Sequence, residues 1–68
     1  MIRIPVSSSN IFSIGYDNGT LEIQFHSGGI YQYFNVPEHI YENLMSASSH
    51  GTYFASHIKN FYNYRRIA

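Results

Sequence analysis

A chain of 68 residues makes one domain, and a domain of this size buries only about 60% of the surface its unfolded chain exposes. It has no cysteine, which excludes disulfides and thiolate metal sites as braces; seven tyrosines and five phenylalanines supply large buried areas per side chain instead. Formal net charge is zero and hydrophobic residues make up 44%, a globular balance that argues against disorder and against a strong overall field for nucleic acid.

The charge is nevertheless uneven along the chain. Residues 1–42 hold Arg3 against Asp17, Glu22, Glu38 and Glu42, whereas Lys59, Arg65 and Arg66 stand without an acid in residues 43–68. Met1-Ile2-Arg3-Ile4-Pro5-Val6 lacks the apolar run of a secretory signal, and no stretch approaches the ~20 apolar residues of a membrane span. The expected location is the cytoplasm, with no membrane partner.

Phe12, Ile14 and Tyr16 alternate with Ser13 and Gly15, the period of a half-buried strand. Asp17-Asn18-Gly19-Thr20 follows, and Asn-Gly is the strongest short hairpin signal because a type I′ turn needs positive φ at both central positions. Leu21, Ile23 and Phe25 then alternate with Glu22, Gln24 and His26. A two-residue Asn18-Gly19 loop sets Tyr16 opposite Leu21, Ile14 opposite Ile23 and Phe12 opposite Phe25, all on one face. The second turn is Ser27-Gly28-Gly29. A two-residue loop there pairs Phe25 with Ile30, Ile23 with Gln32 and Leu21 with Phe34. That arrangement turns Tyr31 and Tyr33 out onto an open polar face beside Gln24 and Glu22, with His26 beside Gly29. A three-residue loop inverts the third strand and sends both tyrosines inward; turn chemistry and the loss of Ile30 and Phe34 from the core favour the two-residue version.

Past Asn35-Val36, Pro37 suits a first helical position, and Glu38 and Glu42 suit the positive end of a helix dipole. Ile40, Tyr41, Leu44, Met45 and Ala47 recur at helical spacing, so roughly 37–48 reads as an amphipathic helix. Ser48-Ser49-His50-Gly51-Thr52 breaks it, and Thr52 is a candidate N-cap for a second helix with the stripe Phe54, Ile58 and Phe61, flanked by Tyr53, His57 and Tyr62. Phe61 reads as core. The expected fold is α+β: a three-stranded antiparallel meander followed by two helices packed on its apolar face. Residues 62–67 alternate weakly, as a short C-terminal strand or a tail would.

Two outward tyrosines on a polar sheet face could stack on bases, each stack contributing ~1–3 kcal/mol. Tyr31 and Tyr33 are therefore the first binding candidates, with Gln24 and His26 as hydrogen-bonding neighbours. Lys59, Tyr62, Tyr64, Arg65 and Arg66 interleave cations with aromatic rings in the manner of single-strand binders, Lys59, Arg65 and Arg66 serving phosphates. The ordinary alternatives are tyrosines that only cover the sheet and a solvated basic helix end. Ser7, Ser8, Ser9 and Asn10 precede the first strand, and Ser46, Ser48 and Ser49 close the first helix, near Thr52; Ser8, Ser9, Asn10, Ser49 and Thr52 are the candidate residues of a polar site. Turn capping accounts for both clusters; if they meet in space they form a small polar pocket. Four histidines without HExxH or i, i+4 pairing give no metal site, and no Ser–His–acid geometry or nucleophile elbow is legible. No cofactor is expected, and the chain reads as non-enzymatic.

These segments resemble the KTSC domain, a small bacterial family. The matching residues are Val6-Ser7-Ser8-Ser9-Asn10-Ile11, Ile14-Gly15-Tyr16-Asp17, Leu21, Phe25, Gly28, Tyr31-Gln32-Tyr33, Val36-Pro37, Tyr41, Leu44, Ala47 and Ser49. They continue with Gly51-Thr52-Tyr53-Phe54, Ile58 and Tyr62. The resemblance covers nearly the whole chain as a single domain, residues 1–68. The family takes its name from a module at the C-terminus of some lysyl-tRNA synthetases and also occurs as free-standing short proteins, which this chain looks like. Its noted motif is the central Tyr-x-Tyr, and the fusion implies RNA binding by association. The expected function is thus a small binding module for RNA or single-stranded nucleic acid. The rival is a protein-interaction or homodimer module using the same tyrosine face.

Overall fold

The computed structural model describes residues 1–68. Its first hairpin forms as the sequence dictates. Strands β2 (Ile11–Asp17) and β3 (Thr20–Phe25) flank Asn18 and Gly19 at φ 49° and 87°, the left-handed pair a type I′ turn requires. Tyr16 pairs with Leu21 and Ile14 with Ile23. Towards its start β2 carries a bulge, so that Ile11 rather than Phe12 stands opposite Phe25. The extra residue re-aims its neighbours: Ile11 is fully buried, while Phe12 is 45% exposed and edges onto His26.

The second turn corrects the expected facing of the tyrosines. The Phe25 N–H donates to the Gly29 carbonyl at 2.9 Å, which leaves His26, Ser27 and Gly28 as a three-residue loop, with Gly28 at φ 111°. This is the longer hairpin loop, closed by a residue of positive φ. Strand β4 (Ile30–Tyr33) therefore pairs Ile23 with Tyr31 and Leu21 with Tyr33, turning both tyrosines towards the core. Two side-chain demands outweigh the loss of Ile30 and Phe34, both only half-buried. Tyr33 fills the core edge-on to Phe54 at 5.4 Å, and Gln32, which the other register would bury among apolar groups, donates to Glu22 at 2.8 Å. An unpaired buried amide would have cost about 1–3 kcal/mol.

The meander is extended at both edges into a five-stranded antiparallel sheet in the order β1-β2-β3-β4-β5. Strand β1 (Arg3–Pro5), for which the sequence offered no periodic signal, pairs with β2. Strand β5 (Tyr64–Arg66) pairs with β4, so the C-terminal segment is a strand and not a tail.

Two helices follow the meander. Helix α1 (Glu38–Ser46) starts after Pro37, whose carbonyl accepts from Ile40 at 3.0 Å. Helix α2 (His50–His57) is capped by Ser49, whose side chain accepts from the Thr52 N–H; Ser49, not Thr52, is the cap, and the helix begins three residues earlier than that cap implied. The Ile58 and Lys59 N–H groups both turn back to the Phe54 carbonyl at 3.0 Å. The helix therefore stops before Phe61, which is 65% exposed instead of core. Leu44, Phe54 and Ile58 pack with Ile11, Ile14, Leu21, Ile23, Tyr33 and Val36 as one buried cluster. Tyr16 stacks on Tyr41 at 4.9 Å and donates to the Val36 carbonyl at 2.6 Å, tying sheet to helix. No helix is long and apolar enough to cross a membrane.

Candidate functional site

Strand alternation puts Ser13, Glu22, Gln24 and Gln32 on the sheet face away from the core. There Arg3 reaches across from β1, donating to Ser13 at 3.1 Å and ion-pairing with Glu22. Gln24 accepts from Ser13 at 3.1 Å. Burial opposes ionisation of Glu22, but the hydrogen bonds from Gln32 and Arg3 and the guanidinium charge outweigh it and hold the carboxyl below its ordinary value. Gln24 is thus engaged in a closed polar network on the face opposite the tyrosines. His26 sits in the turn with Nε2 3.0 Å from the Ser8 carbonyl. Neither residue joins Tyr31 and Tyr33, because the turn inverted their strand and not its partner.

The tyrosines instead meet the basic C-terminal segment. Tyr31, Tyr33, Lys59, Asn60 and Tyr64 line a cavity of about 200 Å³ between β4, β5 and the turn after α2. Cross-strand pairing sets Tyr33 opposite Tyr64 and Tyr31 opposite Arg66. The Tyr64 ring lies 5.6 Å from Tyr33 and 6.0 Å from Tyr31, and the Arg66 guanidinium stands 5.9 Å over the Tyr31 ring, a cation–π distance. Tyr33 is 4% exposed; burial, with the neighbouring Tyr31 and Tyr64, pushes its phenol up to about 12, so it stays protonated and closes the cavity floor. Tyr31 is half-buried, whereas Tyr64 is 59% exposed and Lys59 and Arg66 are open to solvent. The cavity therefore presents one free ring, one partly covered ring and one cation, Lys59, while Arg66 stands over the Tyr31 ring with its Nε donating to the Ala68 carbonyl at 2.8 Å. Arg65 pairs with Gln32 and alternates to the opposite face, and Tyr62 turns into the hydrophobic cluster. Asn60 had no signal in the sequence, since its place depends on where α2 stops.

The two hydroxyl clusters meet in part, through Ser9 and Asn10 on one side and Ser49 with Thr52 on the other. Ser9, Asn10, Ser49, Gly51, Thr52, Ala55 and Ser56 line a groove of about 410 Å³, and Gly51 lets Asn10 approach so closely that a Cβ would collide with its carboxamide. Ser8 stands behind them, donating to Asn10 at 3.0 Å and accepting from the Ile11 N–H at 3.2 Å. Ser49 donates to Thr52 at 2.9 Å. These bonds are the turn and cap contacts that short hydroxyl side chains make locally. No group of three His, Asp or Glu side chains converges on a metal-sized site.

The model of the KTSC domain matches residues 7–64 of this chain. A protein of Stutzerimonas stutzeri is 39% identical over 98% of this chain and 99% of its own length. A lysine–tRNA ligase of Nostoc sp. is 43% identical over 72% of this chain, which corresponds to 9% of the ligase, so the chain spans about a tenth of that enzyme. The crystal structure of a KTSC domain protein from Yersinia pestis superposes with a TM-score of 0.96 at 52% identity, covering 98% of this chain and 97% of that one. A structure that superposes over 98% of this chain at 52% identity, with a family match from residue 7 to residue 64, establishes that this chain belongs to the KTSC domain family.

Proposed function

We propose that this domain is a non-enzymatic module that binds single-stranded nucleic acid, RNA foremost, at the β4–β5 edge. One observation carries the reading: Tyr31, Tyr64 and Lys59 line a single small cavity, and the Arg66 guanidinium stands over the Tyr31 ring, pairing aromatic faces with cations as single-strand binding requires. At about 200 Å³ that cavity is smaller than the ~300 Å³ at which pockets begin to enclose a drug-sized ligand; it suits a ring or phosphate of a polymer lying along the surface. The related segments within lysine–tRNA ligases support an RNA setting. Lys59 in the cavity and Arg66 over Tyr31 give modest affinity that falls with salt, with a log–log slope of about −1.4 for two phosphate contacts on a single strand.

Fluorescence anisotropy with short single-stranded oligonucleotides at low salt tests this. Tyr64→Ala is expected to weaken binding about tenfold through the lost stack, and Lys59→Ala/Arg66→Ala to flatten the salt slope. The reading fails if wild type does not bind at low salt, or if both folded variants bind as wild type does.

A protein-docking reading has its own support. The Phe34 N–H donates to the Asn63 carbonyl and the Ile67 N–H to the Ile30 carbonyl. Residues 63, 65 and 67 thus face β4, and the backbone groups of Tyr64 and Arg66 point outward, unpaired. A salt-resistant dimer in sedimentation velocity would favour that reading over nucleic acid.

A further inference from the structure

The outer edge of β5 is open along its length. Tyr64, Arg65 and Arg66 are all exposed, and β5 is the last strand of the sheet. Asn63 and Ile67 turn their backbone groups to β4, the Asn63 carbonyl accepting from Phe34 at 2.9 Å and the Ile67 N–H donating to Ile30 at 2.8 Å. Alternation gives the Arg65 groups to Gln32, its register partner, and points the N–H and carbonyl of Tyr64 and of Arg66 away from the sheet. Two donors and two acceptors thus alternate along an edge that pairs with nothing. The side chains add charge of one sign. The only ion pair in the molecule joins Arg3 to Glu22, so neither Arg65 nor Arg66 is neutralised by an acid. The two lie on opposite faces, Arg66 with Tyr31 and Arg65 with Gln32.

We infer that this edge takes up an extended acidic segment of a partner protein as an added strand, with two adjacent acidic residues of the guest set against Arg65 and Arg66. The backbone selects a polypeptide. It calls for donors and acceptors in turn, which a strand supplies and a phosphodiester backbone, with acceptors alone, does not. The edge is therefore a different surface from the rings of Tyr31 and Tyr64, and its role does not depend on the nucleic-acid reading. The charges select among polypeptides. Pairing two β5 strands across a twofold axis, in the register that uses all four backbone groups, sets Arg65 against Arg65. Like charges directly opposite are destabilising. The β1 edge of a second copy offers Arg3 and Pro5, one a further cation and the other without an N–H. An acidic guest meets both cations instead. In an antiparallel pairing the guest residue opposite Arg65 occupies a non-hydrogen-bonded position, where facing side chains stand closest, so that pair contributes most to the choice of partner. Arg65 and Arg66 are consecutive, so the matching acids are consecutive too and lie on opposite faces of the guest strand.

Amide NMR with capped peptides tests this. Each peptide alternates valine and threonine around a central pair of glutamates, glutamines or lysines, and the protein is wild type or Arg65→Glu, first shown folded by circular dichroism. In wild type the glutamate peptide is expected to shift the amides of Tyr64 and Arg66 and to slow their hydrogen exchange. The Arg65 amide, already bonded within the sheet, keeps its exchange rate. The glutamate peptide is expected to bind about tenfold more tightly than the glutamine peptide at low salt, with the lysine peptide weakest. Arg65→Glu is expected to lose the preference for glutamate. The acidic strand is overturned if the glutamate peptide leaves those two amides unmoved at its highest soluble concentration, if all three peptides bind alike, or if Arg65→Glu keeps the wild-type order. Protection of the same amides by a wild-type dimer, or by a single-stranded oligonucleotide, in place of the peptide overturns it as well and assigns the edge to that occupant.

Discussion

Glu22 is 5% exposed and owes its charge to Arg3 and Gln32. Its carboxyl ionises below the ordinary 4.5 in the folded state. The stability this confers is present above 4.5 and is lost as pH falls through the lower folded value. Tyr33 behaves in the opposite sense. Its phenol moves from 10.0 to about 12 on folding, so between those values the unfolded chain ionises first and stability falls as pH rises. Urea denaturation across the pH range should therefore show both limbs. Glu22→Gln is expected to flatten the acid limb and cost about 1–3 kcal/mol at neutral pH, because Arg3 loses its partner. Tyr33→Phe should flatten the alkaline limb. Neither pairing was legible in the sequence: Arg3 lies 19 residues from Glu22 on a strand without periodic signal, and the burial of Tyr33 hung on a turn.

At the scale of elements, that turn decides most. Ser27-Gly28-Gly29 supports either loop length, and each length gives a different parity to β4. Local turn chemistry favours the shorter loop, but the longer one forms. The choice is made by what lies across the sheet: Phe54 on α2 receives Tyr33, and Glu22, already held by Arg3, receives Gln32. The Asn18-Gly19 turn shows the contrast, since its two positive φ values set the register of β2 and β3 without help from distant residues. Gly28 at φ 111° is the residue that permits the longer loop. Gly28→Ala is expected to cost about 1–2 kcal/mol, read as a lowered thermal midpoint. The Phe12 bulge and the exposed Phe61 follow the same logic: alternation and helical spacing placed both in the core, but a bulge and an early helix end moved them out.

For the whole molecule, the two sheet edges are unlike. The Val6 N–H donates to the Phe12 carbonyl, so alternate residues of β1 face inward and Pro5 points its missing N–H outward, blunting that edge. Pro5→Val restores a donor there and is expected to promote concentration-dependent self-association, seen in sedimentation velocity as a shift to heavier species. The β5 edge has no such guard and is where the basic residues gather. Its place beside Tyr31 brings together parts that lie far apart in the chain. The sequence by itself determined the class of fold, the first hairpin, both helices, the identity of the family and the aromatic and basic residues worth testing. Each of these rests on local propensity, short-range periodicity or motif order. Only the tertiary structure decided which face the tyrosines occupy, that Lys59 and Arg66 join them while Gln24, His26 and Arg65 do not, and that the backbone groups of Tyr64 and Arg66 line an open edge. Those outcomes depend on strand parity, and parity is set by contacts between residues on different elements, which no local pattern encodes.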